Sequence, residues 1–498
     1  MIFMEKVNHT KQFSLKYPSL KYKILGKTGY SVSICGFGGY RIDFGVKSHE
    51  MAVRKAILSG INIIDTSANY SDGGSERLIG KILNELIEEE NIVRDEIVIV
   101  SKGGYIQGNN FGIASEREQN GNPFPEITKC SPDLWHCIHP EFLEDQITRS
   151  LDRLKIKKLD VYLLHNPEYY LSYSQISDQE RREKEYYRRI EQAFIHLEQE
   201  VSRGRINYYG ISSNTFGLPS NKPNFTSLEK VIEISKNISD DNHFAVVQFP
   251  LNLFEQGGAL NKNQHNDKKT FLQLAVENNI GVLVNRPLNA IIKNQLIRLA
   301  DFPVTEDRNE NEVSELIEDL SKQETTLIDK YVNYMSIPKQ EQKKLTDCLS
   351  LAEILKSNKD NFTTPGNFKE VKGYHLIPRA NYAINQLGKN FDDDNAVRSF
   401  RNYAVTVNIL MDSLYSNLAK KQNEKNKHIH QKLDEYLNDD QKKLTLSQKS
   451  ILMINSLKSV SSTLVGMRSV NYVDDVLNSI KSDFIEDTQL FWEKDFKS

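Results

Sequence analysis

Short apolar runs, each closed by a polar or charged side chain, recur along the first 290 residues and alternate with longer stretches of helical period. Strand-like runs span 33–38, 62–65, 96–102, 160–164, 206–211, 245–249 and 281–284. Helix-like stretches span 48–59, 74–88, 140–154, 182–203, 227–236 and 267–278. The strands are nearly continuous in Ile, Val and Leu, as expected of a parallel sheet buried on both faces and joined by right-handed crossovers. Ahead of them, residues 22–33 alternate around Gly26-Lys27-Thr28-Gly29 and read as a hairpin. A closed barrel and an open doubly wound sheet both generate this alternation. The first strand discriminates: Gly36-Phe37-Gly38-Gly39 runs into Tyr40-Arg41 and a loop, so no GxGxxG opens a helix there. The expected fold is therefore α/β, a TIM-type (β/α)8 barrel with an N-terminal hairpin.

The polar residues that close the strands are the candidate chemistry. Asp65 and Tyr70 follow Ile63-Ile64, Lys102 follows Ile97-Val98-Ile99-Val100, and His165 follows Val161-Tyr162-Leu163-Leu164. In barrels of alternating strands and helices the active site lies at the carboxyl ends of the strands, so an acid, a phenol, an amine and an imidazole would converge there. Taken singly, such an Asp reads as a helix cap, such a Lys as a solvated side chain and such a His as a satisfied core residue. Their common position at strand ends favours one proton-transfer device.

Composition narrows the class. The chain has 498 residues, 64 basic and 67 acidic, for a net charge of -3. That near-balance offers no long-range field for nucleic acid or anionic lipid. Four cysteines without a CxxC pair indicate neither a disulfide framework nor a zinc ribbon, and suit a reducing cytoplasm. Nothing approaches the roughly 20 apolar residues of a membrane span. A barrel needs roughly 250 residues, so a large insertion is expected: an N-terminal extension over 1–21, barrel over 22–290, a mainly helical insertion over 291–443, barrel again over 444–484, and a tail over 485–498.

The ordered set Leu25-Gly26-Lys27-Thr28-Gly29, Gly36-Phe37-Gly38, Asp65 with Tyr70, Gly74-Ser75-Glu76, Ser101-Lys102, Leu164-His165-Asn166-Pro167, Gly210-Ile211-Ser212-Ser213-Asn214, Gln248 and Leu464-Val465-Gly466-Met467-Arg468 resembles the aldo-keto reductases. The hairpin and the Leu464–Met467 run are most similar to the galactose dehydrogenase-like branch. The resemblance implies carbonyl–alcohol interconversion by hydride transfer with a nicotinamide dinucleotide, NADP(H) by preference and NAD(H) as the alternative. It makes Tyr70 the general acid, Lys102 the cation that acidifies the phenol, Asp65 the carboxylate that holds Lys102 charged, and His165 the group that orients the substrate oxygen. The alternative within the family is a cofactor-binding redox sensor with little turnover.

The same resemblance assigns Ser213, Asn214 and Gln248 to the nicotinamide carboxamide. Gly466, closing a strand and opening a helix, would present backbone N–H groups to phosphate, and Arg468 the 2′-phosphate fork, unless Arg468 faces solvent or a carboxylate such as Asp474. Asp475 falls where a carboxylate approaches the adenine. Departures exist: Asn285 stands where many relatives place an aromatic ring against the nicotinamide, Arg286 suits either pyrophosphate or packing, and Val476 replaces an Asn.

Tyr40, Tyr105 and Trp135 are the substrate-pocket candidates, the last two in the long loop 103–139. His136-Cys137-Ile138-His139 runs straight into Pro140 and reads as a helix entry, so no metal is expected. The expected substrate is a small carbonyl compound or sugar, with no nucleic acid or membrane partner, and the expected state a monomer or weak homo-oligomer. In the insertion, Val313, Leu316, Ile317 and Leu320 form one helical stripe and Leu345, Leu349, Ala352 and Leu355 a second. Val397, Phe400, Ala404, Val407, Met411, Leu414 and Leu418 draw a seam that either packs within the insertion or pairs two copies. Covering of the cofactor by the insertion is a further expectation.

Overall fold

The computed structural model describes residues 8–498 apart from 293, 294, 307, 359, 360, 487, 495, 497 and 498. The start of the expected N-terminal extension, parts of the insertion and parts of the tail lie outside the described residues. Eight parallel strands close into a barrel: β1 Cys35–Gly38, β2 Ile63–Asp65, β3 Val98–Gly103, β4 Leu159–His165, β5 Ile206–Ser212, β6 Phe244–Pro250, β7 Gly281–Asn285 and β8 Ser462–Gly466. Each is followed by a helix: α1 Lys47–Leu58, α2 Gly74–Glu88, α3 Pro140–Leu154, α4 Gln179–Ser202, α5 Leu228–Ile238, α6 Phe271–Glu277, α7 Leu446–Asn455 and α8 Val470–Lys481.

Local chemistry explains the boundaries. In α2, Leu78, Ile79, Ile82, Leu83 and Leu86 recur at three- and four-residue spacing and are all buried. Helices α6 and α7 begin at reciprocal caps, Thr270 with Gln273 and Thr445 with Gln448. The hairpin Tyr22–Ile24 and Ser31–Ser33 pairs antiparallel, and its Leu25 and Val32 join Ile63, Val98, Val161, Ala245, Leu283 and Leu464 in the core of the barrel. Gly26 is required there, because its φ is +50° and a Cβ would lie 2.2 Å from the Gly281 nitrogen.

The loop after β3 is more ordered than its composition suggests. It holds a helix, Gly108–Gln119, and a three-stranded meander of Tyr105–Ile106, Thr128–Ser131 and Leu134–His136.

Two compact units exist, one comprising Met1–Leu299 with Asp434–Ser498 and the other Ala300–Leu433. The first keeps the hairpin Asn289–Ile292 with Gln295–Arg298, most of which the sequence reading, starting the insertion at 291, placed in the insertion. The second unit contains helices Glu310–Lys330, Lys339–Cys348, Leu351–Asn358, Pro365–Val371 and Ile377–Gly388, and most of the helix Asp394–Asp434. Its core gathers Val313, Ile317 and Leu320 with Phe400, Tyr403, Val407, Leu410 and Met411. Two expectations change in detail. The stripe from Leu345 to Leu355 is split between two helices at Leu349-Ser350. The seam is turned so that Tyr403 and Leu410 are buried while Val397 is 43% exposed, and it packs within this unit. No helix among the described residues is long and apolar enough to cross a membrane.

Candidate active site

Strands β2 and β3 bring three of the candidate groups into one line. Lys102, at the carboxyl end of β3, is completely buried, and its Nζ lies 2.6 Å from Asp65 Oδ1. The same ammonium donates to the Thr66 carbonyl at 2.8 Å and to the Tyr70 hydroxyl at 3.3 Å. Three acceptors around a three-donor cation leave no N–H of Lys102 unsatisfied. Tyr70 opens a short helical turn in which Ser71 and Asp72 have φ of 49° and 52°, so the phenol is presented by a tight turn between β2 and α2.

The fourth group stands beside them. His165 ends β4, its ring centroid 6.0 Å from that of Tyr70. Ser67 Oγ lies 3.1 Å from His165 Nδ1, which leaves Nε2 for a ligand. Burial, then the charges of Lys102 and His136, hold this imidazole well below its usual range, so it is neutral near pH 7.

The electrostatics differ from the expectation at one point. Burial lowers Lys102 and raises Asp65, each partly opposed by the other's charge. Tyr70 is raised well above 10, first by burial and then by Asp65 and Tyr40. The phenol is thus held protonated, not acidified: Lys102 contributes a hydrogen bond, but its charge is already matched by the carboxylate 2.6 Å away.

An aromatic rim surrounds these groups. Tyr40 is 63% exposed and sets its ring edge-on to Tyr70, with centroids 5.3 Å apart. Tyr105 packs edge-on against His165 at 4.7 Å, and its hydroxyl accepts from Asn166 Nδ2 at 2.6 Å. Tyr169 lies 5.2 Å from Tyr105. Trp135, expected in the pocket, is buried in a separate cluster with Ile106, Ala114, Phe124, Cys137 and Phe142. The meander turns its ring away into packing. His136 Nε2 donates to the His165 carbonyl at 2.8 Å, and no metal-ligating cluster occurs among the described residues.

The residues assigned to the dinucleotide fall into two groups. Ser213, Asn214, Gln248 and Asn285 gather at the ends of β5, β6 and β7. Gln248 and Ser213 are buried, and the Asn285 Oδ1 is buried without a hydrogen-bond partner among the described residues. Arg286, with φ of 52°, donates to Glu255 at 2.8 Å. At β8, a Cβ on Gly466 would meet no atom within 4 Å, and the Ser469 side chain does not cap α8. Arg468 makes no side-chain hydrogen bond or ion pair among the described residues, since Asp474 pairs with Lys55 at 2.5 Å. An orphaned amide acceptor, an open helix start and an unpaired guanidinium suit a dinucleotide phosphate and carboxamide.

Asp475 is engaged within the protein. Its oxygens accept from Ser447 Oγ at 2.7 Å, Gln448 Nε2 at 2.8 Å and Thr445 Oγ1 at 3.3 Å. It ties α8 to the cap of α7.

Sequence reasoning missed three groups. Ser67, two residues beyond Asp65, holds His165. Arg298, at the end of its hairpin, donates to Asn289 at 3.2 Å and is lowered by burial, opposed by Tyr472, and further by the Arg468 and Arg41 charges. Glu168 is buried and accepts from the Asn214 N–H at 2.8 Å, while its Oε2 has no hydrogen-bond partner among the described residues. A signal for Glu168 existed, since it directly follows the quoted Leu164–Pro167 run. Nothing in the sequence pattern marked Arg298.

Relatives include an NADPH-dependent D-xylose reductase of Meyerozyma guilliermondii, 24% identical over 198 residues that cover 37% of this chain and 50% of that one. Another is an L-galactose dehydrogenase of Arabidopsis thaliana, 31% identical over 129 residues, or 25% of this chain and 39% of that one. The chain thus spans half or less of the length of these curated relatives. Among solved structures, an aldo-keto reductase from Bacillus halodurans in its holo form aligns over 95% of both chains at 15% identity, with a TM-score of 0.46. The sequence profile described as the Aldo/keto reductase family matches residues 36–363, and with the closed barrel it establishes that this chain belongs to the aldo/keto reductase family.

Proposed function

We propose that the protein is an NADP(H)-dependent oxidoreductase that interconverts a carbonyl, in an aldehyde, ketone or sugar, and the corresponding alcohol, with Tyr70 as general acid and base. The observation that carries this reading is the line Asp65–Lys102–Tyr70, at 2.6 and 3.3 Å, set at the carboxyl ends of barrel strands beside His165.

The bound dinucleotide would supply or accept the hydride. The protein's own residues do the rest. In reduction the substrate oxygen rests between the Tyr70 hydroxyl and His165 Nε2. As negative charge grows on that oxygen, the Tyr70 proton moves onto it, and the phenolate left behind is met by the Lys102 ammonium. A phenol that stays protonated at rest is the correct form for this direction. Lys102 then matters when charge develops, because its hydrogen bond to a phenolate is stronger than that to a phenol. Oxidation runs the same path backwards, with Tyr70 taking the alcohol proton.

Arg468 and the amino end of α8 would hold the 2′-phosphate, with Arg298 close by, while Ser213, Asn214 and Asn285 face the carboxamide. Xylose reductase and L-galactose dehydrogenase among the relatives support a sugar or small aldehyde as substrate. A cytoplasmic location accords with cysteine usage.

The test is loss of NADPH absorbance against a panel of small aldehydes, ketones and sugars, repeated with NADH. Tyr70→Phe should lower kcat about 10²–10⁴-fold with NADPH affinity nearly unchanged. Tight NADPH binding with no turnover on any panel member would replace the enzyme by a sensor.

A further inference from the structure

The family resemblance gives the Gln248 amide to the cofactor, but the structure spends that amide elsewhere. Its Nε2 donates to Asp65 Oδ1 at 2.7 Å, the same oxygen that receives Lys102 Nζ at 2.6 Å. Its Oε1 accepts from Ser212 Oγ at 3.0 Å and from Asn285 Nδ2 at 3.2 Å. A primary amide has two acceptor sites and two N–H groups, so both acceptor sites and one N–H are committed within the protein. The residue is 1% exposed, and its neighbours fix its orientation.

The topology shows what this bond does. In the closed ring of strands, β6 and β2 are four places apart and therefore face each other across the barrel. The bond from Gln248 to Asp65 crosses the barrel's interior. Among the described residues, the other polar contact of the Asp65 carboxylate comes from the β3 side, through Lys102. With Gln248 it is braced from opposite walls, which restricts the carboxylate to the rotamer that keeps Lys102 under Tyr70. Asn285 extends the chain to β7, and its Oδ1, without a hydrogen-bond partner among the described residues, is the open end.

We infer that Gln248 is a positioning residue: it holds Asp65, and through Asp65 the ammonium that receives the developing Tyr70 phenolate. This rests on the carbonyl-reductase reading above. Gln248→Glu separates a positioning role from a cofactor contact. A protonated carboxyl can still donate one O–H to Asp65, whereas the ionised form cannot and places a like charge beside it. The variant is therefore expected to bind NADPH within about threefold of wild type, to lose at least tenfold in kcat at pH 8, and to regain most of it as pH falls toward 5.5. Gln248→Leu should show the kcat loss without recovery at low pH.

A fall in NADPH affinity above tenfold, with kcat and its pH profile unchanged, would return Gln248 to a cofactor role and overturn the inference. The contact is also readable without turnover. Midpoint temperatures of wild type, Gln248→Leu, Asp65→Asn and the double variant form a cycle in which the two losses should fall short of additivity. Additive losses would sink the inference even in an active enzyme, whereas a non-additive cycle in a protein with no turnover would sink only the reductase reading.

Discussion

At the scale of single residues, burial outweighs pairing throughout the site. Lys102, Asp65, His165 and Tyr70 are all shifted toward their neutral forms by desolvation first, and the charges between them only moderate this. The sequence placed these four residues at strand ends, yet it suggested an acidified phenol because spacing reveals a neighbouring cation and not the depth of the cavity. Glu168 shows the same physics in a form that is easily measured. Burial pushes its carboxyl up to about 7, opposed by the Asn214 N–H. A carboxyl raised in the folded state binds its proton more tightly there than when unfolded. Its stabilising contribution is complete below about 4.5 and is lost as pH rises through about 7. Glu168→Gln fixes the neutral form, so the stability of wild type relative to this variant should fall by roughly 3 kcal/mol between pH 4.5 and 8. Thermal midpoints of the two proteins across that range make the comparison, and parallel curves would show that Glu168 does not titrate there.

At the scale of elements, the units with strong periodicity were legible and those closed by remote partners were not. The stripe of α2 and the caps of α6 and α7 are local, and each can be read from a few residues. The split between Lys339–Cys348 and Leu351–Asn358 has no glycine or proline to announce it. It is stabilised from a distance, by Glu324 on another helix, whose carboxylate accepts from the Leu351 and Ala352 N–H groups at 2.8 and 3.2 Å and from the Tyr403 hydroxyl at 3.3 Å. A buried acid therefore caps the second helix in place of a local Ser or Asp. Glu324→Ala should leave these donors unsatisfied and destabilise the Ala300–Leu433 unit by about 1–3 kcal/mol, whereas Glu324→Gln should recover part of the loss. Urea unfolding followed by circular dichroism reads this, since that unit is almost wholly helical.

At the scale of the whole molecule, each of the two compact units carries a hydrophobic core of its own, one in the barrel and one built from Val313 to Met411. Scanning calorimetry should accordingly give a transition broader than a single two-state step, with a van't Hoff enthalpy below the calorimetric one. Equality of the two enthalpies would show that the units unfold as one. The sequence by itself determined the alternation of strands and helices, the choice of barrel over open sheet, the presence of a folded insertion, and the acid, amine, phenol and imidazole at strand ends, because period and strand-end position are local properties of the chain. Tertiary structure alone decided which amide reaches across from β6 to Asp65, that Trp135 packs inward, that Asp475 serves α7, and how burial sets each proton affinity, because these depend on the closure of the ring, which brings residues nearly two hundred positions apart into hydrogen-bond contact.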